Sequence, residues 1–188
     1  MTATLDELRD QLQAALDMLD EIMTVPPAPV IYSQRDPRWA SMPLGLSLST
    51  IGQEGCLITD AAQMLTELGR TISPGILNEW LKTHGGYVSG NHFVFASIDQ
   101  FGLTKFRTLG ECVNKLAPLD TLDRALSQGA YVIAKVDFSP GGIVQQHWVI
   151  YRGEEMLTDP WYGDRASFTR YGKNVTIAII GYAIYDRV

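Results

Sequence analysis

Cysteine is nearly absent. Of 188 residues, Cys56 and Cys112 are the whole supply. Two thiols do not make a disulfide framework, so the fold has to rest on its apolar core. The length permits that, because a domain of about 150 residues buries roughly 68–70% of the surface its unfolded chain exposes. Long apolar runs are missing too. Nothing approaches the ~18 residues that mark a spanning helix, so no membrane partner is expected. The acidic N-terminus lacks a basic stretch ahead of an apolar one, and no signal peptide is expected. Basic residues number 15 against 21 acids, for a formal charge of −6. No basic stripe exists to release counterions from a phosphate backbone, so nucleic acid is excluded as an expected partner. There is no GxSxG elbow to suggest a serine hydrolase. Clustered metal-ligand spacing and phosphate-cradling glycine loops are also lacking, and neither a metal nor a cofactor is expected.

What is present begins with an uneven charge. Residues 1–24 hold six acids and one arginine, and the remainder is close to neutral. Within this stretch Leu5, Leu8, Leu12, Ala15, Leu19 and Ile22 recur at a 3-4-3-4-3 spacing. Thr4 and Glu7 have the spacing of a capping box. The pattern predicts an amphipathic helical arm over 1–24, its helix about 28 Å long. The apolar stripe is wide, which suits docking in a bundle or on the chain's own domain better than a strict two-stranded seam. Homo-oligomerisation through residues 4–23 is a further expectation. "VPPAP" over 25–29 stops the helix and serves as a linker. One domain is expected over 30–188.

In that domain "VIY" (30–32) reads as a short strand, and 34–54 as an ordered loop rich in turn residues. Apolar spacing predicts a helix from Gly55 to Leu68. A second begins at Ser73-Pro74 and closes near Gly85-Gly86, a third runs from Asn91 to Gly102, and a fourth from Thr121 to Gln128. After Gly129 the period changes. "AYVIAKVDF", "HWVIYR", "EEMLTD" and "VTIAIIGYAIYD" read as strands. Helices followed by strands predict an α+β fold with an antiparallel sheet.

Cys56 opens the first of these helices. A helix N-terminus carries unpaired N–H groups and a partial positive charge, so a thiol there is expected to titrate below its free value of about 8.5. The alternative is a small buried core residue. A nucleophile needs a base, and three histidines are available. His84 sits at a helix end, where capping is its expected role, and His92 at an expected helix start. His147 heads a strand. With a three-residue loop at Arg152-Gly153-Glu154, pairing follows i + j = 306 and sets His147 opposite Asp159. A two-residue loop would place the pair on opposite faces. A carboxylate beside the imidazole fits a triad, and it also fits a plain ion pair. Gln34 and Gln53 are candidate oxyanion donors, or ordinary loop glutamines. Trp148 and Trp161 flank the His and Asp, as site walls or as core.

The segments "YSQRDPRW", "TIGQEGCLITDAAQML", "QHWVIY" and "LTDPWYGD" together resemble the bacteriocin-processing, double-glycine-type superfamily of papain-like cysteine peptidases over about residues 30–185. The resemblance implies a papain-like fold, with an N-terminal helical half packed on an antiparallel sheet. It implies Cys56 as nucleophile, His147 as general base and acid, Asp159 as orienting acid, and Gln34 as the oxyanion glutamine. The reaction would be hydrolysis of a peptide or amide through a thioester. Transporter-linked members carry a glutamine six residues before the cysteine, where this chain has Thr50, and glycine is frequent where Leu57 stands. No nucleotide-binding segment accompanies the domain, so the transporter-linked role does not carry over. The implied partner is a peptide or protein substrate, including a peptidoglycan stem peptide. A non-enzymatic papain-like module assembled through the helical arm is the alternative.

Overall fold

The structure is a computed structural model, and it describes residues 11–13, 30–139 and 144–188. The chain divides into two compact units, Met1–Val30 and Ile31–Val188. In the first, Gln11–Gln13 are helical. The rest of the expected arm, the linker at 25–29 and the proposed oligomer contact lie outside the described residues.

The second unit is a mixed fold of helices, a two-stranded hairpin and a six-stranded antiparallel sheet. Its elements, in order, are α1 (Ile51–Glu54), α2 (Cys56–Glu67), α3 (Pro74–Thr83), β1 (Tyr87–Val88), β2 (His92–Phe93), a 3-10 helix (Phe95–Phe101) and β3 (Thr104–Glu111). There follow α4 (Leu119–Ser127), β4 (Tyr131–Asp137), β5 (Gln146–Gly153), β6 (Met156–Asp159), β7 (Asp164–Ser167), a 3-10 turn (Phe168–Arg170), α5 (Val175–Ala178) and β8 (Ile179–Arg187). The six-stranded sheet has the order β3-β8-β4-β5-β6-β7, antiparallel at every step. Among the described residues no helix is long and apolar enough to cross a membrane.

The central strand β4 is buried on both faces. Its residues alternate between two cores, as the two-residue strand period requires. Val132, Ala134 and Val136 join Val149, Tyr151 and the α4 residues Leu122 and Ala125. Ile133 joins Ala183, Tyr185 and the α2 residues Ile58, Ala61 and Leu65. Side chains such as Ile58, Met64 and Leu65, each 2% exposed or less, contribute about 1.5–3 kcal/mol apiece by burial. Arg152 ties the C-terminal end of α2 to the sheet through Glu67, at 2.6 and 2.7 Å.

Several expectations meet corrections. "VIY" forms no strand. Instead the Tyr32 N–H donates to Gln63 Oε1 at 2.9 Å, a side chain supplying what a sheet neighbour would. Asn91 caps no helix: it lies in the turn of the β1–β2 hairpin, and the helix that follows is a 3-10 helix starting at Phe95. The stretch "VTIA" forms the helical turn α5, capped by Asn174, and the strand begins only at Ile179. Strand β3 was not anticipated. Its polar alternation lacks an apolar signature, and Gly110 serves there to admit the Tyr182 ring lying across it.

The hairpin that carries His147 and Asp159 is also built differently. Its turn has two residues, Glu154 and Glu155, both at positive φ, as a type I′ turn needs. Gly153 then pairs with Met156, but Tyr151 pairs with Leu157 and Ile150 with Thr158. Arg152 is an extra residue, a bulge, and it moves the register on to i + j = 308. The bulge cancels the face reversal that a two-residue loop alone would cause. Asp159 is therefore the diagonal neighbour of His147 on the same face, not its direct partner.

Gly55 joins α1 to α2. Its N–H bonds Ile51 O, and a Cβ there would lie 2.5 Å from Ile51 O and 2.6 Å from Ile51 Cγ2. Gly55→Ala is expected to cost about 1–3 kcal/mol by overpacking, read as a lower urea midpoint. A midpoint unchanged from wild type would contradict this packing.

Candidate functional site

The site sits where α2 begins and β5 starts. Cys56 is the first residue of α2 and is 8% exposed. The backbone N–H groups of Trp148, Leu57 and Cys56 face its sulfur and favour the thiolate, as an N-terminal thiol should experience. Burial is the larger effect and pushes the thiol up to about 12, with the neighbouring Asp60 adding to the rise. The expected depression of this thiol is thus reversed in the resting protein, because removing the sulfur from water outweighs the helix terminus. Sγ lies 4.0 Å from Glu54 O and makes no hydrogen bond to His147.

His147 shares the face of Val149 and Tyr151, and its ring packs on Phe138 at 5.4 Å and Tyr171 at 5.7 Å between centroids. Nε2 lies 2.9 Å from Asp159 Oδ1. Asp159 is wholly buried and accepts three further hydrogen bonds. The Trp161 N–H donates to Oδ1 at 3.0 Å, while Arg170 Nη1 at 2.8 Å and Tyr171 Oη at 2.5 Å donate to Oδ2. Burial raises the carboxyl's pKa. The bonds from His147, Tyr171 and Arg170 outweigh it and hold the group below the usual carboxylate range. An ionised carboxylate only accepts, so Nε2 carries the imidazole proton and Nδ1 is left as the basic nitrogen.

Gln34 is 1% exposed, and its own N–H donates to Pro160 O at 2.7 Å, next to Asp159. Its Nε2 faces Gly52 O at 3.2 Å and Ile51 O at 3.4 Å, which fixes the amide's orientation. Its Oε1 is buried without a partner among the described residues. Gln53 does different work: its Oε1 accepts from the Thr50 N–H at 3.0 Å and caps α1. His84 accepts the helix-end role expected of it, with Nδ1 2.7 Å from Trp80 O. His92 lies on β2 instead of at a helix start.

Cys56, His147, Gln34 and Gln53 all line one cavity of about 550 Å³, together with Trp148, Trp161, Phe138, Tyr87 and Phe93. Trp148 also packs against the core, so both readings of that residue hold. Among the described residues no three His, Cys, Asp or Glu side chains converge as a metal site.

Sequence reasoning missed four contributors. Arg170 and Tyr171 complete the Asp159 shell, and Asp164 grips Arg170 through two bonds of 2.9 Å. Nothing in their spacing marked them, since a 3-10 turn after β7 delivers them. Asp60, one helical turn beyond Cys56, is 1% exposed with Oδ2 unpartnered. Burial, then the charge of Asp159, push it well above the usual carboxylate range. The signal available was its position four residues after Cys56, on the buried side of α2.

Two outcomes follow from these environments. The Asp159 pKa is depressed in the folded state, so its stabilisation is present above about pH 3.9 and is lost as pH falls through the lower folded value. Asp159→Asn is expected to lose about 3 kcal/mol at pH 7, as when one partner of a buried pair is removed. Its deficit should shrink below about pH 4 in pH-dependent denaturation curves, and a deficit independent of pH would contradict the ionised shell. Iodoacetamide, which has no affinity for the cleft, should label Cys56 roughly a thousandfold more slowly than a free cysteine at pH 7.5, in line with the thiolate fraction. Mass spectrometry of the adducts reads this, and rapid labelling at neutral pH would contradict the burial effect.

Comparisons with family models, with curated proteins and with solved structures find no match for this chain.

Proposed function

We propose that this chain is a papain-like cysteine peptidase or amidase that works through Cys56, His147 and Asp159. The observation that carries the proposal is the buried His147–Asp159 pair, its carboxylate saturated by outside donors and its imidazole lining the same cavity as a cysteine at a helix N-terminus. An isolated structural ion pair would need neither the cavity nor the cysteine. An antiparallel sheet with α2 packed on it fits the papain-like plan.

The resting thiol is neutral, so proton removal accompanies attack instead of preceding it. His147 Nδ1 takes the Cys56 proton as Sγ bonds to the substrate carbonyl carbon. The oxyanion is held by a backbone N–H at the start of α2 and by Gln34, whose Nε2 gives up one of its bonds to Gly52 O or Ile51 O to reach it. The C–N bond then breaks, and the amine leaves with the proton from Nδ1. Water, deprotonated by Nδ1, attacks the thioester, releasing the acid and restoring the thiol. Asp159 holds the imidazole and stabilises its cationic form throughout. Trp148 and Trp161 wall the cleft and limit water.

A second reading has one observation in its favour. The buried neutral thiol, without a hydrogen bond to His147, also suits a non-catalytic papain-like module. A peptidyl vinyl sulfone separates the two, because it occupies the cleft and brings its own electrophile to the sulfur. The peptidase reading expects a Cys56 adduct in wild type, none in Cys56→Ala, and a rate about 10²–10⁴-fold lower in His147→Ala, as loss of a general base implies. Equal, slow modification of Cys56 and Cys112 would favour the module. Zymography on purified cell walls distinguishes a peptidoglycan stem-peptide substrate from a protein one.

A further inference from the structure

The cavity wall carries a charge that the chemistry above does not use. Glu54 lines the cleft two residues before Cys56, at the end of α1. No lysine or arginine lines the cavity among the described residues, and Glu54 is the lone carboxylate there. Two cations touch lining rings from elsewhere. Arg35 stacks on Trp161 at 4.9 Å, and Lys135 lies 5.7 Å from the Trp148 ring while paired with Glu111. Neither bonds Glu54.

The carboxylate is nonetheless held in place. Asn91 Nδ2, from the β1–β2 turn, donates to Glu54 Oε2 at 2.7 Å. That leaves Oε1 and the remaining lone pairs of the carboxylate available to a ligand. Tyr87 and Phe93, whose rings meet edge to face at 6.4 Å, line the same cavity. Tyr87 is fixed by donating its hydroxyl to Asn78 Oδ1 at 2.9 Å. An exposed carboxylate oriented by one amide, in a cavity that also has aromatic walls, is the chemistry that receives an alkylammonium or guanidinium group. No lysine or arginine on the wall competes for it among the described residues.

We infer that Glu54, oriented by Asn91 in a cavity it shares with Tyr87 and Phe93, is a specificity subsite for a positively charged side chain of the peptide cleaved at Cys56. The inference rests on the peptidase reading and names its substrate class: peptides with lysine, arginine or a comparable free amine close to the scissile bond. Glu54 is a binding residue and takes no part in bond breaking.

The test uses internally quenched heptapeptide pools with one position fixed as Lys, Arg, norleucine or Glu and every other position neutral. Binding is measured on full-length Cys56→Ala, where turnover cannot interfere, and cleavage on wild type. Lys and Arg pools should bind about three- to tenfold more tightly than norleucine, with Glu weakest, the range between an exposed ion pair and a cation backed by aromatic rings. Adding Glu54→Gln should remove that difference, and Glu54→Lys should invert it. Asn91→Ala, which frees the carboxylate without deleting it, should keep part of the preference. Equal binding of the Lys and norleucine pools, a preference that survives Glu54→Gln, or no binding of any pool overturns the subsite. Preferential binding without wild-type cleavage would keep the subsite and remove the hydrolytic reading. Cleavage with no charge preference would do the reverse.

Discussion

A carboxylate buried to zero exposure is the constraint on which the rest of this site depends. Asp159 has left water entirely, which is costly for a charge unless every lone pair is satisfied. Four donors from four residues meet that requirement: an imidazole, a backbone amide, a guanidinium and a phenol. Each of them needs its own support. Arg170 is clamped by Asp164, the Trp161 N–H by the turn after β6, and Tyr171 by the core. The segment from β6 through the 3-10 turn is in effect a cage built around one carboxylate. The imidazole joins that cage from β5 and lines the cavity, as Trp161 does.

The sulfur is held by a different logic. Gly55 lets α1 run into α2 with almost no gap, and that close join sets Cys56 into a buried first turn. Three N–H groups are aimed at the sulfur while the surroundings keep it protonated. Such a thiol is quiet toward small reagents, and under the proposed peptidase reading it acts as a nucleophile when a bound carbonyl and the imidazole share the work. Asp60, a turn deeper, is pushed well above the usual carboxylate range by burial and by the charge of Asp159.

Much of the fold was legible where composition and period agreed. The α2 boundary, the Ser73 cap of α3, and the strands β4, β5 and β8 followed from apolar spacing, turn residues and β-branched runs. What escaped was decided by tertiary contact. Strand β3 has no apolar alternation because its inward positions are Thr104, Phe106, Thr108 and Gly110, of which the phenylalanine alone is large and apolar. "VIY" looks like a strand but is satisfied by a glutamine from α2. The His147–Asp159 pairing was legible in its parity and not in its register, since a bulge at Arg152 leaves no mark in the sequence. The shell donors Arg170 and Tyr171 were invisible for the same reason that Glu54 was: their importance comes from what stands beside them, not from their spacing.

The central claim is that a charged Asp159 fixes the proton of His147 on Nε2 and leaves Nδ1 as the base. Nitrogen-15 NMR of the labelled imidazole at neutral pH tests this directly. The account predicts the Nε2–H tautomer in wild type, and its loss or mixing in Asp159→Asn. A wild-type spectrum with the proton on Nδ1, or a tautomer indifferent to Asp159→Asn, would contradict it.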